Sequence, residues 1–387
     1  MYDTEMITKN RNTILKEIEE YRKKDFTYKS GHILGSMCTQ PYPIAKQAYM
    51  KFLETNLGDP ELFPGTKEIE KKYIKFVLKL LNAPKTSDAI IGSGGTESNI
   101  TAIWLAKKIT GKKEIIIPEN SHFSFEKIAS LMDIKTVSIP LNKNYYVDIK
   151  KLEKKITNKT AAVVGIAGSI ELGTIDPLPK ISEICFDENI FLHVDAAFGG
   201  YVIPFLKQVG YNLPDFDFKL KGVSSISIDA HKMGCSAIPI GSLAIRDKKW
   251  LDEISVEAHC VSSGNQSGIL GTRSGGPVAA AWAVSENLGI KGYKKIAQEC
   301  MNTTNYLVKL IDEIGLQIIV KPTMNVVGIR VKRPSEIIKK LTKHGWKLNK
   351  MDRISCLRIV VMPHVTKRII DEFIPDLEKI CKDVGEI

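Results

Sequence analysis

From Glu68 to Ile245 the chain repeats one pattern, a short apolar run followed by a stretch of helical periodicity, and this repetition most limits the folds open to it. Apolar runs fall at 89–92, 114–118, 136–140, 161–167, 190–194, 225–229 and 241–245, with helix-like segments between most of the first six, at 96–109, 125–132 and 179–189. Strands separated by helices pair through crossovers, which predicts an α/β fold whose mostly parallel sheet is covered by helices on both faces. Ligands of such sheets collect at the carboxyl ends of the strands. Five of these ends are rich in glycine or polar groups: GSGGTESN, ENSHFSF, AGSIELGTID, HVDAAFGG and DAHKMG.

Beyond GILGTRSGGPVAAAWAVSENLG the order changes. A long helix at 293–314, strands near 317–320 and 326–331, a helix at 335–344, a strand pair around 346–361 and a last helix read as a compact α+β unit. The expected organisation is an N-terminal helix and arm at 1–67, a large domain at 68–290 and a small C-terminal α+β domain at 291–387. The arm, punctuated by Gly and Pro, is of the kind that covers a neighbour.

Composition removes several classes. Hydrophobic content of 43% and charged content of 26% are those of a folded globular protein. No apolar run reaches the length that spans a bilayer, and MYDTEMITKNRNTILKEIEEYRKK is charged throughout, so a cytoplasmic protein without a membrane partner is expected. The seven scattered cysteines contain no C-x-x-C pair, which suggests reduced thiols and neither a disulfide framework nor a metal site. The net charge of +11 rests on 55 basic against 44 acidic residues, only nine of them Arg. Lysine doublets on helical stretches such as KEIEKKYIKFVLKL suit a solvated surface better than a nucleic-acid interface, while leaving an anionic substrate or cofactor compatible.

The strand ends carry the chemistry. GSGGTESN, residues 92–99, leads from strand to helix, where free N–H groups attract an anion; a plain tight turn is the other reading. Asp195 in HVDAAFGG follows an apolar strand, where a carboxylate needs a positive partner such as a protonated pyridine, or caps the following loop. His122 lies between Phe123 and Phe125, an apolar wall on which a flat ring could stack, although a lone His is more often simply packed. SSISIDAHKMG ends a strand on Lys232. A lysine, an anion cradle, an acidic strand end and a stacking ring at one sheet edge are what pyridoxal 5'-phosphate requires, since it is held by its aldehyde, phosphate and ring nitrogen. Lys232 would capture the aldehyde, its pKa lowered by burial, and Asp195 would keep the ring nitrogen protonated.

Together with GTIDPLP, ILGTRSGG and LRIVVMPHVT, these stretches resemble the group II pyridoxal phosphate-dependent decarboxylases, and within them the archaeal branch acting on L-tyrosine and L-aspartate. The resemblance runs from about Gly31 to the final helix. It implies a fold-type I, aspartate-aminotransferase-like homodimer with the active site at the subunit interface. It places His231 beside Lys232, His122 on the cofactor ring, Ala197 on the opposite face and Ser169 nearby. Gly95 and Thr96 hold the phosphate with the partner subunit's Gly271 and Thr272. Arg358 would meet the substrate carboxylate, against the alternative of a surface arginine on an edge strand.

The activity so implied is decarboxylation of L-aspartate to β-alanine, of L-tyrosine to tyramine, or of both, products that serve coenzyme A and methanofuran synthesis. Three alternatives stand beside it. GVSSISIDAHK and GTRSGGPVAAAWA are also similar to carbon–carbon lyases of the sphingosine-1-phosphate lyase type; the positive charge would suit an enzyme acting on aminoacyl-tRNA; and a non-catalytic binding protein could use the same fold. Two departures bear on the resemblance. Relatives often carry Gly-Thr-Thr where this chain has Gly168-Ser169-Ile170. No tyrosine occurs in residues 255–268, SVEAHCVSSGNQSG, so the proton that replaces CO2 would come from His259, Cys260 or a water.

Overall fold

The computed structural model describes residues 9–259 and 264–387. Seven strands form the main sheet: β1 (Asp88–Gly92), β2 (Glu114–Pro118), β3 (Lys135–Ile139), β4 (Thr160–Ile166), β5 (Phe191–Asp195), β6 (Val223–Ile228) and β7 (Gly241–Ile245). Their order is β1-β7-β6-β5-β4-β2-β3. The block β6-β5-β4-β2-β3 is parallel, as the alternation requires. Strand β7 runs against both β6 and β1, because the segment 229–240 carries only turns and is too short for a helical crossover.

Both sheet faces are dry, which explains the continuous apolar runs. Ile115 and Ile117 of β2 enter one apolar cluster and Ile116 the other; Ala162 and Val164 of β4 oppose Val163 in the same way. One cluster takes in the helices Gly95–Thr110 and Ser124–Met132, the other Pro64–Leu80, Leu178–Asp187 and the first part of Gly275–Glu313. That last helix starts well before the expected residue 293. Pro277 sits in its first turn, where its missing N–H is harmless, and Ala279, Ala280 and Ala281 are buried. Gly289, at φ 51° and ψ −170°, kinks it in a conformation that L side chains rarely adopt.

The hairpin β8 (Val256–Glu257) and β9 (Asn265–Gln266) precedes this helix. After it, β10 (Gln317–Ile318), β11 (Val326–Arg330), β12 (Asn349–Met351) and β13 (Cys356–Val360) form an antiparallel sheet in the order β10-β11-β13-β12. Helices Pro334–Lys343 and Lys367–Asp383 share an apolar cluster with it. The arm is bound into this sheet: Leu34 and Gly35 donate their N–H groups to the Lys347 carbonyl at 2.6 and 2.9 Å, and the Val360 N–H reaches the Leu34 carbonyl at 2.7 Å. Among the described residues no helix is long and apolar enough to cross a membrane.

Candidate active site

The carboxyl ends of β1, β2, β4, β5 and β6 open onto one cavity of about 590 Å³, closed on the far side by the arm and the small sheet. At the end of β1 the chain turns through Gly94, at φ 152°, into the helix Gly95–Thr110. The Ser93 N–H and hydroxyl both donate to Glu97 Oε2 at 2.7 Å, which fixes the turn, while the next N–H groups have no intrahelical acceptor and lie at the cavity. A Cβ at Gly95 would come within 3.0 Å of Ala197 Cβ and 3.1 Å of Asp229 Oδ2. This close approach leaves the helix start bare, as an anion cradle needs.

Asp195, the last residue of β5, accepts from Ala197 N and Ser227 Oγ at 3.1 Å on Oδ1 and from Asn99 Nδ2 at 3.0 Å on Oδ2. Burial pushes its carboxyl up, but Lys232, the Asn99 amide and the Ala197 N–H outweigh that and hold it below the usual range. His122 lies across the cavity, its ring centroid 4.0 Å from that of Phe123 and its Nδ1 accepting from Ser124 N at 3.2 Å. Burial lowers its pKa against the pull of Asp195. Phe125 is not part of this wall: it is wholly buried in the core.

Lys232 follows β6 and reaches the cavity with its Nζ 3.1 Å from Asp229 Oδ2. Its expected pKa depression is corrected here. Burial does act downwards, but Asp229 and then Asp195 overcome it and raise the ammonium above its ordinary value. Replacing Asp229 by asparagine removes the nearest negative charge, so the pKa of Lys232 should fall. Reductive methylation of Lys232 in the cofactor-free protein should then reach half its rate at a lower pH than in the parent chain; an unmoved midpoint would assign the shift elsewhere. His231 also lines the cavity, with Nδ1 2.6 Å from the Ile240 carbonyl and Nε2 3.8 Å from Asp229 Oδ2.

Arg358 closes the opposite end. It lies on β13, between β11 and β12, and is 3% exposed, so it is no surface residue on an edge strand. Its Nη1 and Nη2 donate to the carbonyls of Ile170 and Gly35 at 2.7 and 2.6 Å, and among the described residues its Nε has no partner and no carboxylate forms an ion pair with it. Burial lowers its pKa to about 10. Asn120 Oδ1 is a second unpaired buried atom among the lining residues, and Asp229 Oδ1 a third.

Gly95, Thr96, His122, Asp195, Ala197, His231, Lys232 and Arg358 thus line one cavity. The others stand apart. The Ser169 hydroxyl is turned into its own loop, 2.8 Å from Thr174 Oγ1, while Gly168 and Ile170 face the cavity. Thr272 borders a separate small pocket, and Gly271 packs its carbonyl against Gly58. His259 is exposed on the β8–β9 hairpin, 3.5 Å from Glu257, and Cys260 lies outside the described residues. Asn99, Asn120, His193 and Asp229 escaped the reading of the sequence. Asp229 stands three residues before Lys232 in DAHK, which was the available signal.

An amine held against a buried carboxylate, a bare helix start and a buried acceptor for a cationic ring nitrogen, in a space of this size, fit pyridoxal phosphate. Fold and site therefore define a pyridoxal phosphate-dependent enzyme of fold type I. Residues 50–332 match the pyridoxal-dependent decarboxylase conserved domain. The chain is 44% identical to a probable L-tyrosine/L-aspartate decarboxylase of Methanothermobacter thermautotrophicus, over 92% of this chain and 98% of that one. It is also 44% identical to an L-aspartate decarboxylase of Thermococcus kodakarensis, over 95% and 97%. Among solved structures, a sphingosine-1-phosphate lyase of Burkholderia pseudomallei superposes with a TM-score of 0.91 at 25% identity, covering 99% of this chain and 92% of that one. The glutamate decarboxylase of Lactobacillus brevis, at 20% identity, superposes with a TM-score of 0.90, covering 100% and 96%. The chain belongs to the pyridoxal-dependent decarboxylase family.

Proposed function

We propose that this chain removes the α-carboxylate of L-aspartate to give β-alanine, of L-tyrosine to give tyramine, or of both. The observation that carries the reading is Arg358: a buried guanidinium lining the cavity, with an unbonded Nε and no carboxylate partner among the described residues. Desolvated and unpaired, it favours an incoming substrate carboxylate. The relatives named for L-aspartate and L-tyrosine support these two substrates.

Bound pyridoxal phosphate supplies an electron sink for the pair released with CO2. The start of the helix Gly95–Thr110 would hold its phosphate, His122 and Ala197 would hold its ring, and Asp195 would keep a proton on the ring nitrogen. Lys232 would hold the aldehyde, and its Nζ, 3.1 Å from Asp229 Oδ2, keeps a proton against that carboxylate. This makes Lys232 a cavity group able to return a proton to carbon where residues 255–268 carry no tyrosine. Arg358 fixes the substrate, and the arm residues Gly35, Ser36 and Met37 limit water.

The partner is a second copy of this chain. Gly271 and Thr272 lie outside the cavity of their own chain, and the nearby sequence exposes Ile269 and Leu270, the pattern of a surface that completes a neighbouring site. CO2 release from aspartate, tyrosine, glutamate and cysteate, by protein loaded with cofactor and sedimenting as a dimer, tests the proposal. Turnover of aspartate or tyrosine is expected. Tight cofactor binding with no CO2 from any of the four would overturn it.

A further inference from the structure

We propose that His193 and Asn99 form a positioning relay that fixes which way the Asp195 carboxylate faces; the proposal rests on the reading that Asp195 pairs with the cofactor nitrogen. His193 is wholly buried in the middle of β5, two residues before Asp195 and therefore on the same side of the strand. An imidazole in an apolar strand, with Phe125 6.3 Å away, is costly unless both nitrogens are bonded. Both are. Nδ1 lies 2.9 Å from Ser225 Oγ and Nε2 lies 3.0 Å from Asn99 Oδ1.

The proton positions follow from Asn99. Its Nδ2 has two hydrogens, directed at Asp195 Oδ2 at 3.0 Å and Ser124 Oγ at 3.1 Å. Its Oδ1 is then left for His193, which must donate from Nε2–H and accept at Nδ1 from the Ser225 hydroxyl. The chain Ser225→His193→Asn99→Asp195 runs in one direction. Without the imidazole the Asn99 amide could turn over and present its oxygen to the carboxylate.

The carboxylate end gives the relay its purpose. Oδ1 of Asp195 already accepts two bonds and Oδ2 one, so the remaining lone pair is on Oδ2, the atom that Asn99 holds. Asp195 and Asn99 line the cavity, whereas His193 does not. His193 therefore touches neither substrate nor ring nitrogen on this reading; it acts through Asn99 and Asp195.

The test compares the affinities of the cofactor-free protein for pyridoxal phosphate and for its 1-deaza analogue, in which carbon replaces the ring nitrogen. A packing defect weakens both ligands alike; a misdirected Asp195 weakens only the one with a nitrogen. His193→Leu should lower the preference for the natural cofactor about tenfold with the analogue's affinity unchanged. His193→Gln, which can still donate to Asn99, should restore most of it. Asn99→Ala should repeat the loss, and serves if the leucine protein does not fold. Equal weakening of both ligands, or none, in these variants overturns the relay. Asp195→Asn is the control for the underlying reading: if it leaves the preference intact, the pairing of Asp195 with the nitrogen fails, whereas loss there without loss in His193→Leu rejects the relay alone.

Discussion

Lys232→Ala protein is expected to release CO2 at least about a thousandfold more slowly than the parent chain while remaining folded. The variant loses the amine that binds the aldehyde and the Nζ proton held against Asp229. It also leaves Asp195 and the buried Asp229 without their shared counter-ion. That second effect has a pH signature. The Asp195 carboxyl is held below its ordinary value partly by Lys232, so its contribution to stability is present above the unfolded pKa, about 3.9, and fades as pH falls through the folded value. The melting temperature of the variant should therefore lie furthest below that of the parent near neutrality, and the gap should narrow below about pH 4. Wild-type CO2 release from the alanine protein would remove Lys232 from the mechanism. A gap that widens in acid would reject the account of its electrostatics.

The second large effect is expected at Arg358. Replacement by methionine keeps an unbranched stem but removes the guanidinium and its charge, and should lower kcat/KM at least about a hundredfold, most of it through KM. Lysine at the same position should recover only part, because a point charge cannot reproduce the fork that also holds the Ile170 and Gly35 carbonyls. A dicarboxylate such as succinate should raise the melting temperature of the parent chain and leave that of Arg358→Met unchanged, since only the parent gains a partner for its buried cation. Equal stabilisation of both proteins would place the carboxylate site elsewhere.

Much of this was legible in the residues because continuous short apolar runs and strand-end chemistry are local signals. The runs at 114–118 and 161–167 announced strands covered on both faces, and DAHK, HVDAA and GSGGTE announced what those strands deliver to one edge. What depends on relations between distant segments was not legible. The reversal of β7 follows from a connection too short for a crossover, and the burial of Arg358 from the place of β13 inside its sheet. The sign of the Lys232 shift rests partly on Asp195, which comes from another strand, in addition to the neighbouring Asp229. His193 looked like one more strand residue, since its partner Asn99 is 94 positions away and only the packing of helix on sheet brings them together.

The strap formed by Leu34 and Gly35 joins a segment ahead of β1 to Lys347, Arg358 and Val360 of the small sheet and its approach. The far wall of the cavity therefore cannot exist on a ribosome-bound chain until the last strand has emerged, long after the segment carrying Lys232. A growing chain presents its reactive amine in an unroofed groove, and the enclosed chamber is the last part of the molecule to be assembled.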